Sequence, residues 1–396
     1  MFVDDTDLVS WLPNLTDAKK CFRDMQGSCL LWGTLLCASG GRFKPEKCYW
    51  SLIDYVCTDG EWEYASMEPL EMLIPMPDGS FETIEQVDVH EPKEMLGVWA
   101  CPAGDDTKHL EEKVIGRFTK WITRTKNGHL PSKFAWVSYR FKLWAGVRYG
   151  LATLATPLAV AQELLRDTEF KTLSFLGVNK NIKREWRTLP RSFGGVGLFS
   201  FPIEQMICWL NMIIQHFGVP SILGNKFLAS LEALQLELGC LGNPLLEPYH
   251  KLHHLATACW FKVFWERLAF YKWMLYMDYP EMPLQRAGDA SLLSIFLQAN
   301  VTESSHASLN RCRLALELIF LSDMVTSDGR NIDPTLLVPP ADDTSHSRFT
   351  FPREIPTAAD WKEWFNFWTA YTGTSFSLNI PLGRWIAPTH SVIKWF

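Results

Sequence analysis

No run of apolar residues reaches the roughly 18 to 20 positions that span a bilayer. The longest, Leu151 to Ala161 and Met206 to Ile214, stop well short, so no membrane partner is expected. The chain also lacks the basic-then-apolar opening of a signal peptide, because aspartates stand at positions 4, 5 and 7. Secretion is not expected. None of the ten cysteines forms a C-x-x-C pair, and several fall at helix-like spacing among apolar residues. Buried thiols in a reducing, intracellular compartment follow, with no targeting signal to separate nucleus from cytoplasm. His250, His253 and His254 with Cys240 and Cys259 come nearest to a metal cluster, but their spacing matches no familiar zinc pattern. Internal repeats and low-complexity segments are absent too, and no small-molecule cofactor motif is evident.

What is present is the composition of a folded protein. The 396 residues are 47% hydrophobic and 21% charged, enough for two or three domains with sizeable cores. Charge is unevenly spread. Lys and Arg number 8 against 22 Asp and Glu in residues 1–112, but 16 against 4 in residues 113–191. From Lys113 to Gln162 there are nine basic residues and no acidic one: Lys113, Arg117, Lys120, Arg124, Lys126, Lys133, Arg140, Lys142 and Arg148. Interleaved with Trp121, Trp136, Tyr139 and Trp144, such a block suits a surface that meets phosphates and stacks on bases or sugars. A solvated helical face has the same composition.

Along the chain, apolar positions Phe22, Met25, Cys29, Trp32, Leu35 and Leu36 step by three and four, which predicts a helix from Thr16 to Ala38, ended at Ser39, Gly40 and Gly41. Short strands are expected at 48–57, 62–67, 72–76, 81–89 and 95–100, with a Pro77-Asp78-Gly79 turn inside a hairpin. From Asp106 the period becomes helical, with Leu110, Val114, Phe118, Trp121 and Ile122 on the inner face, and a second helix begins after Pro131. The C-terminal half reads as helices at 204–217, 226–238, 250–277, 290–298, 309–324 and 358–371, with an irregular loop over 327–357. Its tryptophans at 260, 265, 273, 361, 364 and 368 read as core.

Candidate chemistry sits at the start. In Phe2-Val3-Asp4-Asp5, two adjacent carboxylates between hydrophobic strands could hold Mg2+, a hard cation that in turn clamps phosphate. This opening resembles the aromatic-x-Asp-Asp hairpin of a reverse transcriptase palm, of the non-LTR retroelement type. The helix to Ala38 resembles the one that follows that hairpin. Ser39 to Cys48, with Gly40, Gly41, Lys44 and Lys47, looks like the family's glycine turn and downstream lysine. Met95-Leu96-Gly97-Val98-Trp99 is similar to the Leu-Gly-Val strand leading into the thumb. Trp121, Leu130 and Tyr149 stand in the order of thumb helices. Pro190 followed by Gly194-Gly195-Val196-Gly197-Leu198 resembles a segment beyond the thumb. The resemblance covers roughly residues 1–200.

That resemblance implies an RNA-directed DNA polymerase working by two-metal nucleotidyl transfer on an RNA/DNA template-primer. Asp4 and Asp5 would be metal ligands, Phe2 would lie beneath the primer end, and Lys47, or Lys44 in its place, would stand near the leaving pyrophosphate. The basic segment would be the thumb, gripping duplex backbone. The family also needs a third aspartate and nucleotide-binding fingers upstream of Phe2, so this chain alone is expected to be a fragment without polymerase activity, its Mg2+ weakly held or absent. The expected fold is α+β. A partial palm of hairpin plus helix (1–57) would precede a small β-rich insert (58–105) and a basic helical thumb-like segment (106–191). A helical domain (192–326) and an irregular loop with a Trp-rich helix (327–396) would follow.

Two other readings compete. A non-catalytic nucleic-acid-binding remnant or a helical interaction protein would share the basic helices. A haloacid-dehalogenase-like phosphatase would use Asp5 as nucleophile and Asp7 as general acid in Asp5-Thr6-Asp7-Leu8-Val9, with Gly104-Asp105-Asp106 as a later acidic motif. Of the residues before Asp5 only Met1 to Val3 are apolar, too few for the buried strand that such a nucleophile ends.

Overall fold

The computed structural model describes residue 8 and residues 18–58, 61–66, 68–164, 166–340 and 354–386. The opening with Phe2, Asp4, Asp5 and Asp7, and hence the expected palm hairpin, lies outside the described residues. The chain is mixed α+β and mostly helical, and it divides into two compact units: residues 1–150 with 167–180, and residues 151–166 with 181–396.

The first unit begins with helix α1, Ala18–Ala38, followed by strands β1 (Tyr49–Trp50), β2 (Tyr55–Thr58), β3 (Glu61–Tyr64), β4 (Met72–Pro75), β5 (Phe81–Gln86), β6 (Lys93–Met95) and β7 (Val98–Ala100). Strand β5 is the centre of a three-stranded sheet, parallel to β1 and antiparallel to β4. The β4–β5 hairpin turns where the sequence places it, with Asp78 accepting from the Ser80 amide at 2.9 Å. Helix α1 lays Phe22, Met25 and Cys29 on this sheet, closing a small core with Trp50, Met72, Ile74 and Ile84. The stretch expected as one strand over 95–100 is instead a hairpin of β6 and β7. Leu96 (φ 48°) and Gly97 (φ 80°) both take left-handed backbone, the two-residue turn whose twist matches antiparallel strands.

Two long helical stretches follow. Helix α2 (Thr107–His109) runs through a π-helical segment, Leu110–Ile115, into α3 (Gly116–Asn127). After Pro131, α4 (Ser132–Ser138) runs through a π-helical segment, Tyr139–Leu143, into α5 (Trp144–Arg148). The spacing of their inner residues explains the wide turns. Leu110, Val114 and Phe118, and likewise Ala135, Tyr139, Leu143 and Val147, are buried at steps of four. An α-helix at 3.6 residues per turn would rotate such a series off the core, and a wider turn keeps it facing inward.

The second unit holds α6 (Leu158–Leu164), α8 (Arg184–Thr188), α9 (Phe201–His216), α10 (Ile222–Leu238), α11 (Tyr249–Leu252), α12 (Trp260–Tyr271), α13 (Leu292–Gln298), α14 (Glu303–Ala315), α15 (Leu321–Met324) and α16 (Ala358–Thr372). The intervening α7, Arg166–Phe175, lies mainly in the first unit. One core gathers Trp209, Phe261, Phe264 and Trp265, and another Phe296, Trp364 and Trp368. Most C-terminal tryptophans are thus core residues, whereas Trp273 is 43% exposed. The helix expected over 250–277 is interrupted: α11 passes into a 3-10 turn, and α12 starts only after Cys259, whose thiol accepts from the Lys262 amide at 3.4 Å.

The glycine-rich segment after Pro190 has a steric cause. Val196, Gly197 and Leu198 return to donate to the carbonyls of Trp186, Leu189 and Arg187 at 2.8–2.9 Å. A Cβ on Gly195 would stand 2.1 Å from the Leu189 carbonyl oxygen, so only glycine allows the loop to fold back this tightly.

Candidate nucleic-acid interface

Lys113, Arg117, Lys120 and Arg124 step by four, three and four, so they form one line beside the buried line of Val114, Phe118, Trp121 and Thr125. The first two are engaged within the fold. The Lys113 ammonium pairs with Glu94 on β6, and the Arg117 guanidinium donates to the Gly146 carbonyl of α5. Lys120, Arg124 and Lys126 are exposed, as are Lys133 and Lys142 on the second stretch, and these five carry no ion pair among the described residues. Arg140 and Arg148 are half-buried, with the Arg140 guanidinium 5.6 Å from the centre of the Trp136 ring.

The two stretches are locked by aromatic contacts. Trp144 meets Phe118 edge to face with ring centres 5.6 Å apart, and the Trp121 indole donates to Ser138 Oγ at 2.7 Å. This corrects the stacking expectation: Trp121, Tyr139 and Trp144 are buried, and the half-buried Trp136 spends its indole N–H on the Leu176 carbonyl at 2.9 Å. They pack the inner face, and the aromatic side chains left in solvent are Phe134, 59% exposed, and Phe141, 77% exposed, on the second stretch, with Tyr149, 61% exposed, just beyond its end. The sequence order of aromatics and cations does not distinguish the two sets, since both alternate with basic residues.

His109 gave no signal in the sequence. It is buried, and its Nδ1 accepts the Trp99 amide at 3.1 Å, fixing hairpin β6–β7 to the start of α2. Desolvation, aided by the charges of Arg117 and Lys113, pulls its pKa down to about 4, so the ring is neutral at pH 7. Gly150 packs on it: a Cβ there would lie 2.5 Å from Cε1 and Nε2.

Lys44 and Lys47 flank and end a single 3-10 turn, Pro45–Lys47, and both are exposed. Their proposed companions Phe2, Asp4 and Asp5 lie outside the described residues. Among the described residues no group of three or more His, Cys, Asp or Glu side chains could hold a metal ion. Of the histidines in the candidate His-Cys cluster, His253 stacks on Tyr249 and His254 faces His306 at 5.5 Å between ring centres. Asp105 accepts from the Thr107 amide at 2.9 Å before α2, a turn-forming role at the helix entry.

No family model, curated protein or solved structure matches the chain.

Proposed function

We propose that the paired helical stretches Thr107–Asn127 and Ser132–Arg148 bind the phosphate backbone of nucleic acid, in the manner of a reverse-transcriptase thumb on a template-primer. The observation that carries this reading is the run of nine cations without an acid from Lys113 to Gln162, of which Lys120, Arg124, Lys126, Lys133 and Lys142 stand exposed. Flexible cations on a rigid helical frame neutralise phosphates and release condensed counterions, giving affinity with little sequence preference.

The polymerase ancestry rests on the motifs from Phe2 to Leu198 and their order. Its chemistry, with Asp4 and Asp5 as Mg2+ ligands and Lys47 near the leaving group, stays with that resemblance. The grip is independent of it. The test is binding of an RNA–DNA hybrid over a salt series, with the five exposed cations replaced by glutamine in turn. Each replacement is expected to weaken binding on all sequences alike and to lower the salt slope by about one. Affinity indifferent to salt and to all five replacements would remove the reading.

A further inference from the structure

Phe134, Val137 and Phe141 leave the second helical stretch into solvent at steps of three and four, 59%, 53% and 77% exposed. Those steps place them along one side of the helix, with the two phenyl rings roughly 10 Å apart along its axis. The same stretch buries Ala135, Tyr139, Leu143 and Trp144, so its packing face is already satisfied, and the phenyl stripe is surplus to the core. Each ring has a cation beside it in the chain: Lys133 next to Phe134, and Arg140 and Lys142 on either side of Phe141. No acidic residue occurs anywhere on this stretch.

We infer that Phe134 and Phe141 are a stacking platform for unpaired bases, with Lys133 and Lys142 holding the adjoining phosphates of a single strand. The inference rests on the nucleic-acid reading above and adds the ligand class. A phenyl face accepts any base, so the platform is tolerant of sequence. A spacing of roughly 10 Å is spanned by a few nucleotides of an extended strand, so one short strand reaches both rings. In a duplex the base faces are covered by their neighbours, and only a strand with unstacked bases can use the rings. Val137, between them, offers a sugar-sized apolar contact. The charge of the stretch sets the occupant: an apolar stripe flanked in sequence by cations, on a helix without an acid, matches a polyanion whose bases supply flat apolar faces.

The test uses the full chain and labelled oligouridylate of about 12 nucleotides, a length within the usual range of single-strand sites, followed by fluorescence anisotropy. An RNA–DNA hybrid serves as the second ligand. Phe134→Ala and Phe141→Ala are each expected to weaken oligouridylate binding by about five- to a hundredfold, while hybrid affinity and the salt slope stay as in the parent chain. Phe→Trp at either position should restore binding, whereas Phe→Leu, apolar but without a ring, should not. Oligouridylate binding unchanged in the alanine variants, or fully kept by leucine, overturns the inference while leaving the grip on hybrid intact. Sedimentation showing a dimer that Phe141→Ala dissolves, with oligonucleotide binding unaltered, overturns it in favour of a second copy of the chain. Failure of the parent chain to bind either ligand removes the nucleic-acid reading itself.

Discussion

Gln26 and Leu73 exchange two hydrogen bonds of 2.7 Å: the Gln26 side-chain amide donates to the Leu73 carbonyl, and the Leu73 N–H donates to Gln26 Oε1. Strand β4 is an outer strand of its sheet, and α1 thus occupies hydrogen-bonding groups that would otherwise face a passing strand. Gln26→Ala is expected to cost about 1 kcal/mol and to raise the tendency to associate, because both backbone groups of Leu73 lose their partner. Urea unfolding and light scattering of the variant check this. An unaltered midpoint and no added scattering would show that the contact carries no weight.

The buried His109 gives the fold a directional response to acid. Its folded pKa, near 4, lies below the ordinary 6.5, so the unfolded chain takes up a proton first as pH falls. The stability tied to this ring is complete above pH 6.5 and drains away between 6.5 and 4, by up to about 3 kcal/mol. His306 in the second unit is lowered in the same way, to about 4, by burial and then by His254 and Arg313. Thermal unfolding should therefore weaken from pH 7 to pH 5 in the parent chain, and less steeply in His109→Gln, which keeps an acceptor for the Trp99 amide. Parallel pH profiles for parent and variant would contradict this.

Arg313 is fully buried, makes no salt bridge among the described residues, and donates to the carbonyls of Leu236, Glu237 and Leu318 and to Asn310 Oδ1 at 2.7–3.0 Å. Two of these close the C-terminal turn of α10, where carbonyls lack helical partners and a cation meets the negative end of the helix dipole. Arg313→Met fills most of the space but takes the guanidinium donor from the Leu236 and Leu318 carbonyls and from Asn310 Oδ1, whereas the Glu237 carbonyl keeps the Asn310 amide, and a loss of about 2–4 kcal/mol is expected. Denaturant unfolding followed by tryptophan fluorescence measures it. A midpoint equal to the parent's would show that water replaces the guanidinium at no cost.

Where burial leaves a period in the sequence, the fold was readable. The series Phe22, Met25, Cys29 and the series Leu110, Val114, Phe118, Trp121 point to the faces that α1 and α2–α3 bury, and Pro77-Asp78-Gly79 marks its hairpin. Residues 250–277 contain neither proline nor glycine, so nothing local announces the break before Cys259, which tertiary packing imposes. The candidate site was half readable. Its cations are visible as a charge run, but Lys113 and Arg117 are engaged by Glu94 and Gly146, partners distant in sequence. Trp144 and Phe141 stand three residues apart among the same cations, one in the core and the other in water. Inward or outward depends on the π-helical turn at Tyr139–Leu143, which shifts the phase that a regular helix would give.

The salt dependence of RNA–DNA hybrid binding by the full chain tests the central claim most directly. With three to five exposed cations on phosphates, log affinity should fall linearly with log salt at a slope of about −3 to −5. The slope should shrink by about one with each of Lys120→Gln, Arg124→Gln, Lys126→Gln, Lys133→Gln and Lys142→Gln. A slope near zero, or one that none of these replacements changes, would contradict the account.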